Sequence, residues 1–310
     1  MPEHQPVLSI ELVANLQVQP DLDYIDATLG AGGHARKVLL LNEPLGRLIG
    51  FDLDQEALSI ARENLKNFTG RVSYINNNFS SLKKSIADLN LPQLQIGGIY
   101  ADLGVSSMQL DQAKKGFSFR MAGPLKMNFD SNGLMSAEDI VNNWSVDEIA
   151  QLIIRYGEDT FGPVIAKAIG EYRQQKRIAD TCELAQIIAS VKQRRGSKIH
   201  PATKTFQALR IVVNDELGQL AEFLEQAVSL LPSKRRLVVI TYHSLEDRVV
   251  KQYFKKESTD CLCPKELPVC FCHHRARLRL ISKKSIRPAA EEIKTNPRSR
   301  SAKLRVVEKI

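Results

Sequence analysis

An α/β fold with a mainly parallel, doubly wound sheet and an inserted helical domain is the class that this 310-residue sequence predicts. Three observations carry the prediction. Strand and helix patterns alternate over the first hundred residues, the alternation gives way to helical periodicity between about 135 and 200, and a strong strand resumes near 235. Alternation of this kind builds parallel sheets with ligands at the strand carboxyl ends.

"YIDATL" (24–29) reads as a buried strand running into a glycine turn, "GAGGH" (30–34), and "HARKVLLLN" (34–42) reads as a helix. "RLIGFD" (47–52) is the second strand, and "DQEALSIARENLKNF" (54–68) an amphipathic helix with Ala57, Leu58, Ala61, Leu65 and Phe68 on one face. "VSYIN" (72–76) and "GGIYADLG" (97–104) are further strands with a short helix between them. "SAEDIVNNW", "SVDEIAQLIIRYG", "VIAKAIGEYRQQ" and "TCELAQIIASVKQ" follow as helices, with Trp144 a core residue. "TKTFQALRIVVNDELGQLAEFL" (203–224) reads as one long helix, with Phe206, Leu209, Val213, Leu217, Leu220 and Leu224 as a single packing stripe. "RRLVVITYH" (235–243) returns to the sheet, "LEDRVVKQYFKK" is the next helix, and "AKLRVVEK" looks like a final strand. The expected domains are residues 1–112 with 203–310, and 113–202 as a helical insertion.

Apolar residues make up 43% of the chain, enough for a sizeable core. No apolar run approaches the roughly 20 residues that span a bilayer. The start, Met-Pro-Glu-His-Gln-Pro, lacks the basic and apolar regions of a signal peptide. A soluble, cytoplasmic chain with no membrane partner is expected. The net charge of +8 is unevenly placed: residues 271–310 hold twelve Lys and Arg against three acids, which leaves about −1 for the rest. Such local basicity suits a polyanion partner, with Arg298, Arg300, Lys303 and Arg305 as candidate RNA contacts.

The ligand of the glycine turn admits three readings. A phosphate loop would close with Gly-Lys-Ser/Thr, which is absent. A dinucleotide fingerprint has Gly30 and Gly32, but Ala35 stands at the third glycine. S-adenosylmethionine carries no phosphate; it needs close backbone approach at Gly30, Gly32 and Gly33 and a carboxylate for the ribose hydroxyls, placed at Asp52. Asp52 would serve NAD equally. Asp102, in "ADLGVSS" at the fourth strand end, tilts the choice toward a methyltransferase, because an acid there suits an amine-bearing methyl acceptor.

Several stretches then resemble one family. "HQPVL" (4–8), "YIDATLGAGGH" (24–34), "DLGVSSMQLD" (102–111), "GFSFR" (116–120), "YGE" (156–158), "HPATKTFQALRIVVNDEL" (200–217), "YHSLEDRVVK" (242–251) and "NPRSRSAKLRV" (296–306) are similar to the RsmH (MraW) family. These are bacterial methyltransferases of a cytosine exocyclic amine in small-subunit ribosomal RNA. The resemblance implies a Rossmann-like class I methyltransferase domain whose helical insertion helps recognise substrate. It implies S-adenosyl-L-methionine as donor and a decoding-centre cytosine of 16S rRNA as acceptor, in the 30S subunit or a late precursor, with a homodimer left open. It puts cofactor contacts on Gly32, Gly33, His34, Asp52, Phe79, Asp102 and Gln109, with Phe79 near the adenine.

For the chemistry, Asp102 is expected to contact the cofactor or the amine, with Ser106 and Ser107 lining the pocket. His243, at a strand end, has two readings: a catalytic side chain or an anchor of its turn. Glu246 and Asp247 read as helix caps. The chain departs from the family at "GPLKMNFD" (123–130), where Lys126 replaces an acid and Asn128 an arginine. That departure motivates a rival function, a ribosome-assembly RNA-binding protein of weakened activity. Cys261, Cys263, Cys270 and Cys272 form two C-x-C pairs, unlike the usual C-x(2–4)-C of structural zinc. Reduced, unligated thiols are expected there, with a zinc ion held by the thiols, His273 and His274 as the alternative.

Overall fold

The computed structural model describes residues 6–91, 93–104, 112–130, 133, 135–192, 200–264, 267 and 269–310. Among them, seven strands form one sheet: β1 (Asp23–Asp26), β2 (Leu48–Phe51), β3 (Val72–Ile75), β4 (Ile96–Asp102), β5 (Arg236–Thr241), β6 (Leu278–Leu280) and β7 (Lys303–Lys309). Their order is β3-β2-β1-β4-β5-β7-β6. β1 to β5 pair in parallel, while β7 runs antiparallel to both β5 and β6. This is the doubly wound order with one antiparallel strand set in near its edge.

Period-two alternation explains why the sheet is covered on both faces. Ile25, Ile49, Leu237 and Val239 enter one buried cluster with Phe223 and Phe254. Their neighbours Tyr24, Leu48, Val238 and Ile240 enter another with Leu12, Leu39 and Leu58. A strand buried on both sides reads as continuous apolar sequence, as these do.

The chain divides into two units, residues 1–104 with 217–310, and residues 105–216. These boundaries differ from those expected at 112 and 203. The second difference has its reason in the 203–224 stretch, which is not one helix. It is Thr203–Val213 followed by Glu216–Leu230, separated at Asn214 and at Asp215, whose φ is +44°. The continuous stripe serves two cores: Phe206 and Leu209 pack in the second unit, Leu220 and Leu224 in the first. Strand β6 is also new relative to the sequence pattern.

The second unit is helical, built on Ala137–Asn143, Val146–Gly157, Gly162–Arg173, Thr181–Val191 and Thr203–Val213. Its 124–130 loop is held by Asn214, whose amide donates to the Met127 carbonyl (2.7 Å) while its oxygen accepts the Phe129 N–H (2.8 Å). Asn128 donates to the Met135 carbonyl at 2.6 Å, and Lys126 is exposed. The residue that departs from the family pattern at 128 therefore holds its own loop.

Candidate methyl-transfer site

The carboxyl ends of β1, β2, β4 and β5 gather one polar cluster in the first unit. β1 stops at Asp26, three residues short of the expected strand, because the Asp26 carboxylate accepts the Thr28 N–H (3.0 Å) and turns the chain. Gly30 (φ +53°) and Gly32 (φ +84°) then take left-handed conformations, which cost glycine little. The turn is tied to β2: the Asp52 carboxylate accepts the N–H groups of Gly30 and Asp54, each at 2.8 Å. A carboxylate offers about four acceptor positions, so holding the turn and meeting a ribose diol are compatible roles.

His34 opens the helix Gly33–Leu41 and is buried. Its Nε2 lies 3.3 Å from Oδ2 of Asp102, and among the described residues its Nδ1 has no hydrogen-bond partner. Asp102 ends β4, its backbone N–H donating to Thr28 Oγ1 at 2.6 Å. Its other oxygen accepts the Tyr242 hydroxyl at 2.8 Å, and its side chain keeps 22% exposure. That edge is where a ligand can reach it. Burial, reinforced by the facing Asp102 carboxylate, pushes the Tyr242 phenol well above its ordinary range, so it stays a donor.

Beneath this pair sit two groups that sequence pattern alone does not single out as site residues, Asp26 and Tyr100. Complete burial pushes the Asp26 carboxyl up to about 7, against the opposing pull of His34 and the Thr28 N–H. Burial and the Asp26 charge likewise push the Tyr100 phenol well up. A buried carboxyl raised in this way, next to a histidine and a second acid, is the kind of group that active sites shift. Its one signal in the sequence is the acid that opens "DATLGAGGH".

The MraW methylase family model matches residues 1–310. The chain belongs to this family. Similar proteins include "Ribosomal RNA small subunit methyltransferase H" of Dehalococcoides mccartyi strain BAV1, 48% identical over 99% of this chain and 86% of that one. The protein of the same name from Clostridioides difficile is 44% identical over 99% of both chains. As a MraW-family methyltransferase, the chain carries the Rossmann-like fold class expected from its sequence.

In this methylase the other candidates fall as follows. Phe79 is half-buried, packed edge-to-face on Phe223 at 5.3 Å between ring centres. Ser106 and Gln109 lie outside the described residues. His243 caps the helix Ser244–Glu257, its Nδ1 accepting the Glu246 N–H at 3.3 Å while Glu246 accepts the His243 N–H at 3.2 Å. Its side chain is 8% exposed, with Nε2 3.0 Å from Glu246 Oε1.

The basic tail of the methylase is partly spent on internal pairs. Lys303 and Arg305, expected as phosphate contacts, both bind Asp247, at 2.9 and 2.7 Å. Against burial, which would raise it, they hold the Asp247 carboxyl below its ordinary range. Asp247, an acid in the first turn of the helix Ser244–Glu257 as expected, is thus an ion-pair partner as well. Arg277 pairs with Glu225 and Glu257, and Arg279 with Glu308. Arg298 and Arg300 are exposed, as are Arg275, Lys283, Lys284, Arg287 and Lys294.

Proposed function

We propose that this chain transfers a methyl group from S-adenosyl-L-methionine to the N4 amine of a decoding-centre cytosine in 16S ribosomal RNA, within the 30S subunit or a late precursor. One observation carries the reading: a partly exposed carboxylate, Asp102, fixed by Tyr242 and His34 beside a glycine turn. The printed names of the relatives agree with small-subunit ribosomal RNA as the substrate.

The residues present fit the donor. The turn carries no side chain at Gly30, Gly32 or Gly33, and a buried ring nitrogen of His34 has no partner among the described residues. S-adenosyl-L-methionine supplies an electrophilic methyl on a sulfonium. Gly32, Gly33 and His34 would meet its methionine end at a helix start, Asp52 its ribose diol and Phe79 its adenine. Asp102 and Gln109 complete that set by resemblance.

A cytosine amine is a weak nucleophile because its lone pair is delocalised into the ring. Holding it in line is the enzyme's main contribution. Asp102 would accept one amine N–H, turning the lone pair toward the methyl. It would offset the positive charge on nitrogen as the methyl leaves sulfur with the bond pair staying on sulfur, and would receive the amine proton. Ser106 would line the same pocket. The helical unit would recognise the RNA around the target base.

Labelled S-adenosyl-L-methionine incubated with small-subunit particles tests the reading. Incorporation supports it, and binding without incorporation favours the assembly-protein rival. RNA-binding residues separate by salt. Arg298→Ala with Arg300→Ala should weaken particle binding and reduce the slope of log K against log salt by about 1 for each phosphate no longer neutralised. Lys303→Ala with Arg305→Ala should leave that slope unchanged and cost about 1–3 kcal/mol of stability, because Asp247 is stripped of its partners. Filter binding across a salt series and denaturant unfolding measure the two effects.

A further inference from the structure

The segment between the helix Ser244–Glu257 and β6 has neither helix nor strand among its described residues, yet it brings four sulfurs together. Cys261 and Cys270 lie 3.5 Å apart, Cys270 and Cys272 3.6 Å, and Cys261 and Cys272 3.9 Å. With Cys263, all four Sγ atoms fall within 4.8 Å of one another. A tetrahedral ion with metal–sulfur bonds of about 2.3 Å spaces its sulfurs about 3.8 Å apart. Disulfides need about 2.05 Å, and all four cysteines are free thiols.

The hydrophobic effect does not gather them. Cys261, Cys270 and Cys272 are exposed, and the neighbouring Val269 and Phe271 remain 60% and 69% exposed. Backbone donors instead face the sulfurs in a crossed pattern. The residue after Cys261, Leu262, donates its N–H to Cys272 (3.3 Å), and the residue after Cys270, Phe271, donates to Cys263 (3.4 Å). Such N–H to sulfur bonds favour thiolates and orient metal ligands. The base of the loop is closed separately, by the Arg277 N–H on the Glu257 carbonyl at 2.8 Å. His274 is engaged with the Lys256 carbonyl at 3.1 Å, which leaves the four sulfurs as the set.

We infer that Cys261, Cys263, Cys270 and Cys272 form a structural zinc site. C-x-C spacing by itself favours unligated thiols, because such pairs are unusual in zinc sites; the crossed sulfur arrangement outweighs it. Four thiolates fill a tetrahedral shell, so the ion has no open position and no part in methyl transfer. Binding releases the thiol protons and orders a loop that has little core of its own.

The test uses the full chain, reduced, freed of metal with a chelator and titrated anaerobically with cobalt(II). The expected result is saturation at one equivalent, with the intense visible bands of tetrahedral thiolate-bound cobalt, displaced by one equivalent of zinc. Cys270→Ser with Cys272→Ser changes exposed side chains, so the fold should survive by circular dichroism while the bands vanish. Zinc should also protect the 261–272 loop from limited proteolysis in the parent and not in the variant. No saturable cobalt binding, the weak spectrum of an octahedral oxygen- or nitrogen-bound ion, or equal binding by the double variant would each overturn the site.

Discussion

Asp102→Ala is expected to lower methyl transfer by about 10²–10⁴-fold while the fold largely persists. The carboxylate is partly exposed and is held from two sides, by Tyr242 and His34. Its loss removes the acceptor proposed for the amine. It also strands the Tyr242 hydroxyl and a nitrogen of His34, at about 1–3 kcal/mol, so unfolding must be measured in parallel. Asp102→Asn provides the control of shape: it keeps an oxygen acceptor but no charge, and should recover stability more than rate. A folded alanine variant with unaltered rate would remove Asp102 from the site.

The second large effect is on stability and its pH dependence. Asp26 moves from an ordinary 3.8 to about 7 on burial. Its raised value means that the folded chain holds this proton more tightly than the unfolded one. The resulting stabilisation is complete below about pH 4 and is lost as pH rises through about 7, a span worth up to about 4 kcal/mol. Asp26→Asn cannot titrate. Relative to the parent, the variant should therefore gain stability between about pH 4.5 and pH 8, by roughly 3–4 kcal/mol. Denaturant unfolding of both proteins at the two pH values measures it. Parallel pH profiles would show that the Asp26 carboxyl is ordinary.

The sheet was legible because β1, β2, β4 and β5 are apolar on both faces; all four lie within the stretches the pattern marked, give or take a residue, with β1 ending three residues early. β6 was not, since three residues, Leu-Arg-Leu, in a basic stretch carry no periodicity. The long stripe from Phe206 to Leu224 misled for a physical reason: 3–4 spacing persists across a helix break when both halves need an apolar face. At the site, Asp52 and Asp102 were legible as acids at strand ends. Their mutual setting was not, because Tyr242 approaches Asp102 from 140 residues away. Lys303 and Arg305 looked like phosphate ligands for the same reason: Asp247, 56 and 58 residues earlier, is invisible to a charge count. For the cysteines, C-x-C spacing weighed against a metal, and spacing carries no information on the crossed N–H to sulfur bonds of Leu262 and Phe271.

The most direct measurement is nucleoside analysis of 16S rRNA from small-subunit particles treated with this chain and isotopically labelled S-adenosyl-L-methionine. The expected result is one labelled nucleoside, N4-methylcytidine, formed by the parent protein and nearly absent with Asp102→Ala. Label on another base or another atom of cytosine, or equal labelling by the variant, would contradict the assignment.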